Sequence, residues 1–407
     1  MSSAHSASSN TKAHDPAEAG APAPTHADGI WASRFADWLT YGLYWGVHVA
    51  ALGVFFTGVT TTALVLFAIT FWGRLFGITG GYHRYFAHKT FKTSRPFQFL
   101  LAALGTAATQ KGPLWWASLH RIHHRESDGP GDVHSPKRGF YYSHQGWIFD
   151  KRWQATRLDL IPDFAKYPEI QWLNRWHFVP PVALAVACFA IGGLPGLFWG
   201  FFLSTTLLWH STYTINSLSH LFGTRRFETS DTSRNNWALA LLTCGEGWHN
   251  NHHHYMASAR QGFRWWEIDI TYYVLRALKT VGVIWDVREA MGLLVDRKGV
   301  QEFIYGRTGV ATANFLNNPP RYNSKNLKFD FNVDKANQIL EGAGWKKGAD
   351  GVRAKGNVKL KFVYQTSVNQ PRQKTQAIVK DACTKAGIEL ELKSVTGAVF
   401  FGGDFAN

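Results

Sequence analysis

The chain has 407 residues, of which 15% are aromatic and 17% are charged, whereas roughly 25% of residues are charged in ordinary soluble domains. This composition indicates a protein that faces lipid over part of its surface. The net charge of +15 suits anionic lipid or an acidic substrate, and no basic stripe with a nucleic-acid fold signature occurs, so we expect no nucleic-acid partner. Three widely separated cysteines, Cys188, Cys244 and Cys383, argue against a disulfide framework or a CxxC metal site.

Residues 1–34 are rich in Ala, Ser, Pro, His and Asp and follow no helical or strand periodicity. They lack the basic start and the apolar core of a secretory signal peptide. We therefore expect this segment to be a disordered tail on the cytoplasmic side.

Two apolar blocks follow, at about 39–75 and 178–218, and each carries a turn signal near its centre. One crossing of a bilayer takes about 20 residues, so each block is long enough for a helical hairpin. The alternative is four buried helices of a soluble protein. The predicted transmembrane helices are about 39–57, 60–78, 178–194 and 197–217.

Basic residues flank the two blocks and are absent from their turns. By the positive-inside rule, both termini and the long connecting segments face the cytoplasm. The apolar run 97–108 is too short to span. The segment from His220 to about Trp285 is expected to cap the membrane part from the same side. The predicted fold is an all-α membrane protein of four transmembrane helices, with a cytoplasmic helical cap that holds a His-rich site.

Histidines concentrate in four places, all on the predicted cytoplasmic side. On a helix, residues three and four apart share a face, so HRIHH and HNNHH each bring three imidazoles together. These histidines are His83 and His88, then His120, His123 and His124, then His220, and then His249, His252, His253 and His254.

So many imidazoles held together would repel one another if they were protonated, and metal ligation requires the neutral form. An imidazole-rich site suits iron, copper, zinc or nickel. The number of imidazoles is too large for one ion and fits two. The HExxH signature of zinc proteases is absent.

The histidine boxes HxxxxH, HxxHH and HxxHH resemble those of the integral-membrane acyl desaturases of the stearoyl-CoA, delta-9 type, in order and in position relative to the two apolar blocks. The resemblance covers about 35–285 and extends to neighbouring residues. These are GIT at 77–79, RGF at 138–140, SHQGW at 143–147, NSLSH at 216–220 and GEGWHN at 245–250.

The resemblance implies two iron ions and a second-shell role for Asn216 through a metal-bound water. It leaves His254, His134, His144, His177 and His210 outside the ligand set. The implied iron ligands are His83, His88, His120, His123, His124, His220, His249, His252 and His253.

The activity implied by the resemblance is the O2-dependent insertion of a cis double bond, at position 9 in the family's commonest case, into a long-chain acyl-CoA. The sequence has no haem, flavin or iron–sulfur motif, so a separate electron-donor protein is expected. The expected location is the bacterial inner membrane, with membrane lipid around the helices and the active site facing the cytoplasm. A membrane diiron hydroxylase is the alternative on the same scaffold.

The resemblance to the family is less complete at the positions that would contact the substrate. The animal enzymes carry an Arg-Asp pair that contacts coenzyme A, and here Ser118 and Leu119 stand in its place. An acyl chain on a phospholipid therefore competes with acyl-CoA as the substrate. Four residues are candidates for substrate binding: Gln110 and Trp116 match tunnel-lining positions, and Lys137 and Arg138 would meet phosphates or else form solvated surface.

Residues 287–407 resemble a fragment of the solute-binding proteins of peptide ABC transporters, in NVDKA at 332–336, LEGAGW at 340–345 and GIELELK at 387–393. We expect a partial α/β fold, because 358–364 alternates like a strand. The fragment is about a quarter of such a protein and lacks its first lobe, so we expect no peptide binding. A membrane-anchored solute-binding protein is nevertheless the alternative function from a different class. The domains are thus 1–34, 35–286 and 287–407.

Overall fold

The computed structural model describes residues 30–285, 288–306, 330–356 and 358–397, which fall into two compact units, 1–277 and 278–407. Most of the predicted tail, residues 1–29, lies outside the described residues. The first helix, α1, begins at Ile30, so the last five residues of the predicted tail are helical instead. The predicted boundary between residues 286 and 287 stays a prediction, because both residues lie outside the described ranges.

The first apolar block forms α1 (Ile30–Ala51), α2 (Val54–Thr57) and α3 (Thr61–Phe76). Helix α3 starts at Thr60, whose side-chain hydroxyl accepts a hydrogen bond from the Ala63 N–H. It runs directly into the π-helix π1 (Gly77–Ala87).

The second block forms α9 (Val179–Leu197), the π-helix π2 (Phe198–Leu203) and α10 (Ser204–Asn216). Gly193 interrupts it with φ 60° and ψ −150°, a conformation that essentially only glycine adopts. Beyond Gly193 the chain folds back, because a Cβ built on Gly200 would lie 3.0 Å from the Cys188 sulfur. In a straight helix these two residues would lie about 18 Å apart.

Two continuous helical stretches of the described chain, Thr61–Ala87 and Val179–Leu221, are long and apolar enough to cross a membrane, and Tyr41–Thr57 is a shorter apolar helix. Gly193 lies inside the second stretch, within the turn that the sequence predicts at 192–196. The count of four spans stays a prediction.

The short apolar run predicted at 97–108 is the amphipathic helix α4 (Arg95–Ala107), capped by Ser94. It packs closely against π1, because a Cβ on Gly77 would meet the Gly105 nitrogen at 2.6 Å. The Tyr82 hydroxyl lies 2.8 Å from the Thr106 hydroxyl, and this hydrogen bond joins π1 to α4. This contact fixes the start of the histidine-bearing segment against the apolar core.

The remaining elements of the first unit are short apart from α5 (Pro113–Glu126), which begins at a proline and carries the second histidine box. They are β1 (Lys92–Thr93), α6 (Phe140–His144), α7 (Pro162–Ala165), α8 (Pro168–Arg175), α11 (Leu218–Leu221), α12 (Trp237–Leu242), α13 (His249–His254) and α14 (Ile270–Thr280), with 3-10 turns at Pro136–Arg138, Gly146–Phe149, Lys151–Trp153 and Leu158–Leu160.

The second unit is a small α/β fold, as expected for its sequence. The parallel strands β6 (Lys361–Ser367) and β7 (Glu389–Val395) are joined through α18 (Gln370–Lys385), and their core includes Leu360, Cys383 and Leu390. The strand predicted at 358–364 is divided between β5 (Val358–Lys359) and β6. The other elements are β2 (Ile284–Trp285), α15 (Arg288–Leu293), α16 (Arg297–Val300), a π-helix at Gln301–Tyr305, α17 (Val333–Gly342), and the antiparallel strands β3 (Lys346–Lys347), β4 (Arg353–Lys355) and β5 (Val358–Lys359).

Replacing Gly193 with alanine should destabilise the protein by about 1–3 kcal/mol, because the turn backbone is strained for any residue with a Cβ. The matched control is Gly46→Ala in the middle of α1, where nothing lies within 4 Å of the added Cβ. Thermal unfolding of the two purified variants in detergent measures the difference. Equal melting temperatures would contradict the turn at Gly193.

Candidate metal centre

The two histidines of the first box, His83 and His88, are five residues apart and are brought together by a π-helix. His83 lies in π1, and the His88 N–H donates to the His83 carbonyl oxygen at 3.1 Å, closing an i to i+5 turn. The two imidazole rings consequently lie close together in an edge-to-face arrangement, with centroids 4.8 Å apart. An α-helix would place residues five apart on different faces, so the HxxxxH spacing and the π-helix belong together.

The structure brings all nine sequence-predicted ligands together in two groups. The first group has five imidazoles and the second has four, and within each group one ring nitrogen of every histidine lies within 4.8 Å of those of the others. Neighbours in sequence are divided between the groups, so α5 and α13 each contribute to both. The first group is His83, His88, His120, His124 and His252, and the second is His123, His220, His249 and His253.

The Nε2 atoms of the first group form a continuous series of close contacts. His252 Nε2 lies 2.9 Å from His83 Nε2 and 3.0 Å from His124 Nε2. His120 Nε2 lies 3.0 Å from both His124 Nε2 and His88 Nε2. In the second group, the Nε2 atoms of His220 and His249 are 3.1 Å apart, and those of His123 and His253 are 3.4 Å apart.

Hydrogen bonding cannot account for these contacts. A ring nitrogen carries either one proton or one lone pair, so it can make one in-plane hydrogen bond. Yet the Nε2 atoms of His252, His124 and His120 each approach two others. Lone pairs converging on a shared point are instead the donor arrangement of a metal site.

Buried carboxylates fix the orientation of several of these rings from the opposite side. His83 Nδ1 pairs with Glu246, His123 Nδ1 lies 2.8 Å from Asp132, and His253 Nδ1 lies 2.7 Å from Asp231. Each carboxylate accepts the Nδ1 proton and leaves Nε2 with its lone pair facing inward. His220 Nδ1 lies 3.5 Å from Asp128 and 3.1 Å from the Thr232 hydroxyl.

These carboxylates are the functional residues that sequence reasoning missed. They lie in loops or before α13, at no helical spacing from the histidines they hold. Glu246 also accepts a hydrogen bond from Arg84 at 3.0 Å, and Arg84 reaches Asp269 at 2.9 Å. The motif GEGWHN, in which Glu246 lies three residues before His249, was the available signal.

Electrostatics keep most of the imidazoles neutral. Burial, followed by repulsion from neighbouring imidazoles, lowers the pKa values of His120, His124 and His252 well below the ordinary value. Burial also lowers the pKa of His253 to about 4. These rings are therefore unprotonated at neutral pH, which is the state that binds metal.

His123 differs in the direction of its pKa shift. Burial lowers its pKa, but the adjacent Asp132 carboxylate outweighs burial and raises it. Burial in turn raises the pKa of Asp132, and the attraction of His123 reverses this effect and lowers it. The pair therefore holds its proton on Nδ1, between ring and carboxylate.

A cavity lies against both imidazole groups. Among the residues that line it are His83 and His120 of the first group and His123 and His249 of the second, together with Asn216. A substrate in this cavity would therefore contact both groups. The position of Asn216 is compatible with the second-shell role that the sequence resemblance implies.

Gln110 and Trp116, which the sequence places in the substrate tunnel, line the same cavity. Gln110 donates to the Thr212 hydroxyl at 2.9 Å and accepts from the Trp116 indole at 3.2 Å. Trp116 also stacks on His120, with ring centroids 4.9 Å apart. The part of the cavity wall formed by Gln110 and Trp116 is thus held against His120, which belongs to the first group.

Lys137 and Arg138, the other predicted substrate contacts, are absent from this lining. Lys137 is exposed. Arg138 donates to the Tyr142 hydroxyl at 3.0 Å and to the Pro130 carbonyl at 2.9 Å. Their contact with a substrate head group stays a prediction.

The histidines predicted as non-ligands lie outside both groups. His254 is exposed and stacks on Phe227 at 4.3 Å. His144 Nε2 lies 2.9 Å from His210 Nδ1, in contacts away from the nine ligands. His134 is buried beside Asp132 and His123 and belongs to a third possible group with them, and His177 lies in none of the groups.

Comparison with known families gives two matches. The model described as fatty acid desaturase matches residues 57–285. The model described as bacterial extracellular solute-binding proteins, family 5 Middle, matches residues 268–406. The first match contains all nine histidines.

Curated relatives that match this chain include three desaturases. The sn-2 palmitoyl-lipid 9-desaturase of Nostoc sp. (strain 36) is 37% identical over 252 residues, which is 60% of this chain and 88% of the relative. The acyl-CoA 5-desaturase AL21 of Anemone leveillei is 37% identical over 249 residues, 60% of this chain and 77% of the relative. The chloroplastic palmitoyl-monogalactosyldiacylglycerol delta-7 desaturase of Arabidopsis thaliana is 41% identical over 217 residues, 53% of this chain and only 58% of the relative.

One solved structure, the oligopeptide-binding protein of Thermus thermophilus with a pentapeptide, is 26% identical with a TM-score of 0.27. The match covers 28% of this chain and 20% of that protein.

The substitution Glu246→Gln should weaken metal binding by about 10–100-fold, because His83 loses the carboxylate that holds its Nδ1 proton. Glu267→Gln is the matched control, since Glu267 is also buried and pairs with Arg226 but with no imidazole. Metal analysis of the two purified variants, after dialysis against a graded chelator, gives the comparison. Equal metal retention would show that the carboxylate does not support the site.

Proposed function

Because the chain belongs to the fatty acid desaturase family, we propose that it is a membrane-embedded diiron desaturase that uses O2 to place a cis double bond in a long acyl chain. The histidine boxes predicted this family, and the relatives confirm it. The oxidoreductase class follows from the family. The observation that carries the diiron proposal is the pair of imidazole groups, one partly and one fully buried, beside one cavity.

Iron is the metal that fits the reaction. An unactivated methylene C–H is too inert for side-chain acids or bases, and zinc has no redox chemistry. Two irons, when bound, would supply the redox chemistry that activates O2, which is the oxidant that removes these hydrogens. The nine imidazoles are suitable ligands for such ions, and their division into five and four provides one set for each.

The chain's own residues position and shield this chemistry. Glu246, Asp132 and Asp231 hold Nδ1 protons and keep the ring lone pairs directed inward. Gln110 and Trp116 hold the cavity wall beside His120. We assign to Asn216 the binding of a water that completes the set of four imidazoles.

The overall reaction requires reagents from outside the chain. Two hydrogens leave adjacent carbons, and O2, two electrons and two protons combine with them to give two waters and one double bond. The electrons would come from a separate donor protein, since the sequence has no haem, flavin or iron–sulfur motif of its own.

The two long apolar helical stretches support the proposal of a place in the bacterial inner membrane, for which the sequence predicts four spans and imidazole groups at the cytoplasmic face. His83 lies near the end of one stretch and His220 near the end of the other. A site at this boundary would admit the acyl chain into the membrane part while its head group stays outside.

The carrier of the acyl chain is proposed to be coenzyme A, and a membrane lipid is the second candidate. One observation favours the lipid: Ser118 and Leu119, which replace the coenzyme-contacting pair of the animal enzymes, are both buried. The relatives are named for both carriers. Insertion at position 9 is proposed from the Nostoc relative and from the histidine boxes.

Hydroxylation is the alternative outcome of the same diiron site, and it would give a hydroxy acid instead of a monoene. A solute-binding function is the alternative of a different class. It rests on residues 268–406, and it predicts peptide affinity that is independent of iron.

Replacing His252 with alanine should abolish formation of the monoene in an expressing host, because His252 Nε2 contacts two other members of the first group. His254→Ala is the matched control, on the same helix but exposed and outside both groups. Gas chromatography of total fatty acids reads out both variants. Monoene formation by His252→Ala at the wild-type level would refute the proposed function.

Lys137→Ala should raise the KM for acyl-CoA by about fivefold and leave kcat unchanged, because one exposed ionic contact is worth up to about 1 kcal/mol. Lys166→Ala, another exposed lysine, is the control. The assay compares stearoyl-CoA with a stearoyl phospholipid in nanodiscs. Turnover of the phospholipid alone would instead establish the lipid carrier.

A further inference from the structure

Within the described residues, Glu246 is the one carboxylate that pairs with an imidazole of the first group, and other side chains hold it in place. One of its oxygens accepts a hydrogen bond from Arg84 at 3.0 Å. The other lies against His83 Nδ1 and accepts from the Gln261 side-chain amide at 3.2 Å. All four side chains are buried. The orientation of His83 therefore depends on how firmly its carboxylate is held.

Arg84 is in turn shared between two carboxylates. The terminal nitrogen that donates to Glu246 also donates to Asp269 Oδ1 at 2.9 Å. Asp269 is fully buried and accepts the backbone N–H of Gln261 at 2.8 Å through its other oxygen. Asp269, Arg84, Glu246 and His83 thus form one continuous series of contacts that ends at the metal centre.

This arrangement is costly if it serves folding alone. Burial removes the hydration of three charges, and an apolar cluster of the same volume is often as stable as a buried ion pair. Two buried atoms, Arg84 Nε and Gln261 Oε1, also have no hydrogen-bond partner within the described part of the chain. Such atoms are uncommon because they cost free energy, and they call for an explanation beyond packing.

The segment that carries Gln261 and Asp269 follows the third histidine box and contacts π1, which carries the first. Besides the pair of Asp269 with Arg84, the Thr271 hydroxyl lies 2.7 Å from the Thr79 hydroxyl. The solute-binding family model matches from residue 268 onwards, yet these residues lie in the first compact unit with the histidines. The segment therefore belongs to the metal centre.

We propose that Gln261 and Asp269 are positioning residues of the metal centre, which hold Glu246 and, through it, fix the Nδ1–H of His83. This inference rests on the proposed diiron centre. Gln261 acts on Glu246 directly, and Asp269 acts through Arg84. An outer hydrogen bond of this kind sets the tautomer of a ligating imidazole and keeps its Nε2 lone pair directed at the metal.

The role of Asp269 follows from the way in which arginine binds carboxylates. A guanidinium commonly forms two parallel hydrogen bonds to both oxygens of one carboxylate. Here Asp269 takes the second hydrogen of the nitrogen that meets Glu246, and the Ala259 carbonyl accepts from the other nitrogen at 2.8 Å. Without the charge of Asp269, Arg84 can turn onto both oxygens of Glu246 and compete with His83 for one of them.

The alternative is that Gln261 and Asp269 only fold their own segment. The two roles differ in their dependence on Glu246. Residues that act through Glu246 lose their influence on metal binding once that carboxylate is removed, whereas a general folding effect adds to its removal.

The test is a double-mutant cycle on the purified, iron-loaded full chain, with iron retention measured against a graded chelator. Asp269→Asn and Gln261→Met should each weaken retention of one of the two irons by about tenfold, the lower end of the range for outer hydrogen-bond partners of metal ligands. In a chain that already carries Glu246→Gln, the same substitutions should weaken retention by less than about twofold, because their route to His83 is gone.

Glu267→Gln is the matched control within the same segment. Glu267 is buried and accepts the Phe263 N–H at 2.6 Å, but it pairs with Arg226 and has no contact with Glu246 among the described residues. It should leave iron retention at the wild-type level.

Equal weakening by Asp269→Asn with and without Glu246→Gln would overturn the proposal, and so would an equal loss of iron in Glu267→Gln. Gln261→Met decides the matter in the same way if Asp269→Asn does not fold, since it changes no charge. A wild-type chain that binds no iron would count against the diiron proposal instead.

Discussion

The close approach of nine imidazoles is the constraint on which the rest of the structure depends. Several of their Nε2 atoms lie about 3 Å from two neighbours at once, which neither protonated rings nor a hydrogen-bond network would tolerate. Neutral rings with inward lone pairs satisfy this arrangement when metal ions are bound. The surrounding carboxylates stabilise that state by accepting hydrogen bonds from the Nδ1–H groups, which ties the loops containing Asp132 and Asp231 to the helices that carry the ligands.

The apolar helices continue directly into the segments that carry the metal-centre histidines. The π-helix π1 continues α3 out of the apolar region and delivers His83 and His88 together, and α10 ends next to the segment that bears His220. The cavity lies along the same elements, so the helices that support the imidazoles also wall the space for a substrate.

Helical spacing predicted that the histidine boxes gather their imidazoles, because spacing is a local feature, and the resemblance of the boxes to those of known desaturases gave the set of nine and the family. The sequence also predicted Gln110 and Trp116 at the cavity, through resemblance. It did not predict the carboxylates at Nδ1, since residues such as Asp231 approach their histidines only through tertiary folding. Nor did it predict the π-helix, because propensity does not distinguish π from α turns. The helical start of α1 at Ile30, inside the predicted tail, shows that composition alone sets such boundaries poorly.

The most direct test of this account is X-ray absorption at the iron edge, combined with metal analysis, on the purified full chain. The account predicts two irons per chain, each in a first shell dominated by imidazole nitrogen, because two separate imidazole groups are present. A single metal ion per chain, or a first shell rich in sulfur or carboxylate oxygen, would contradict it.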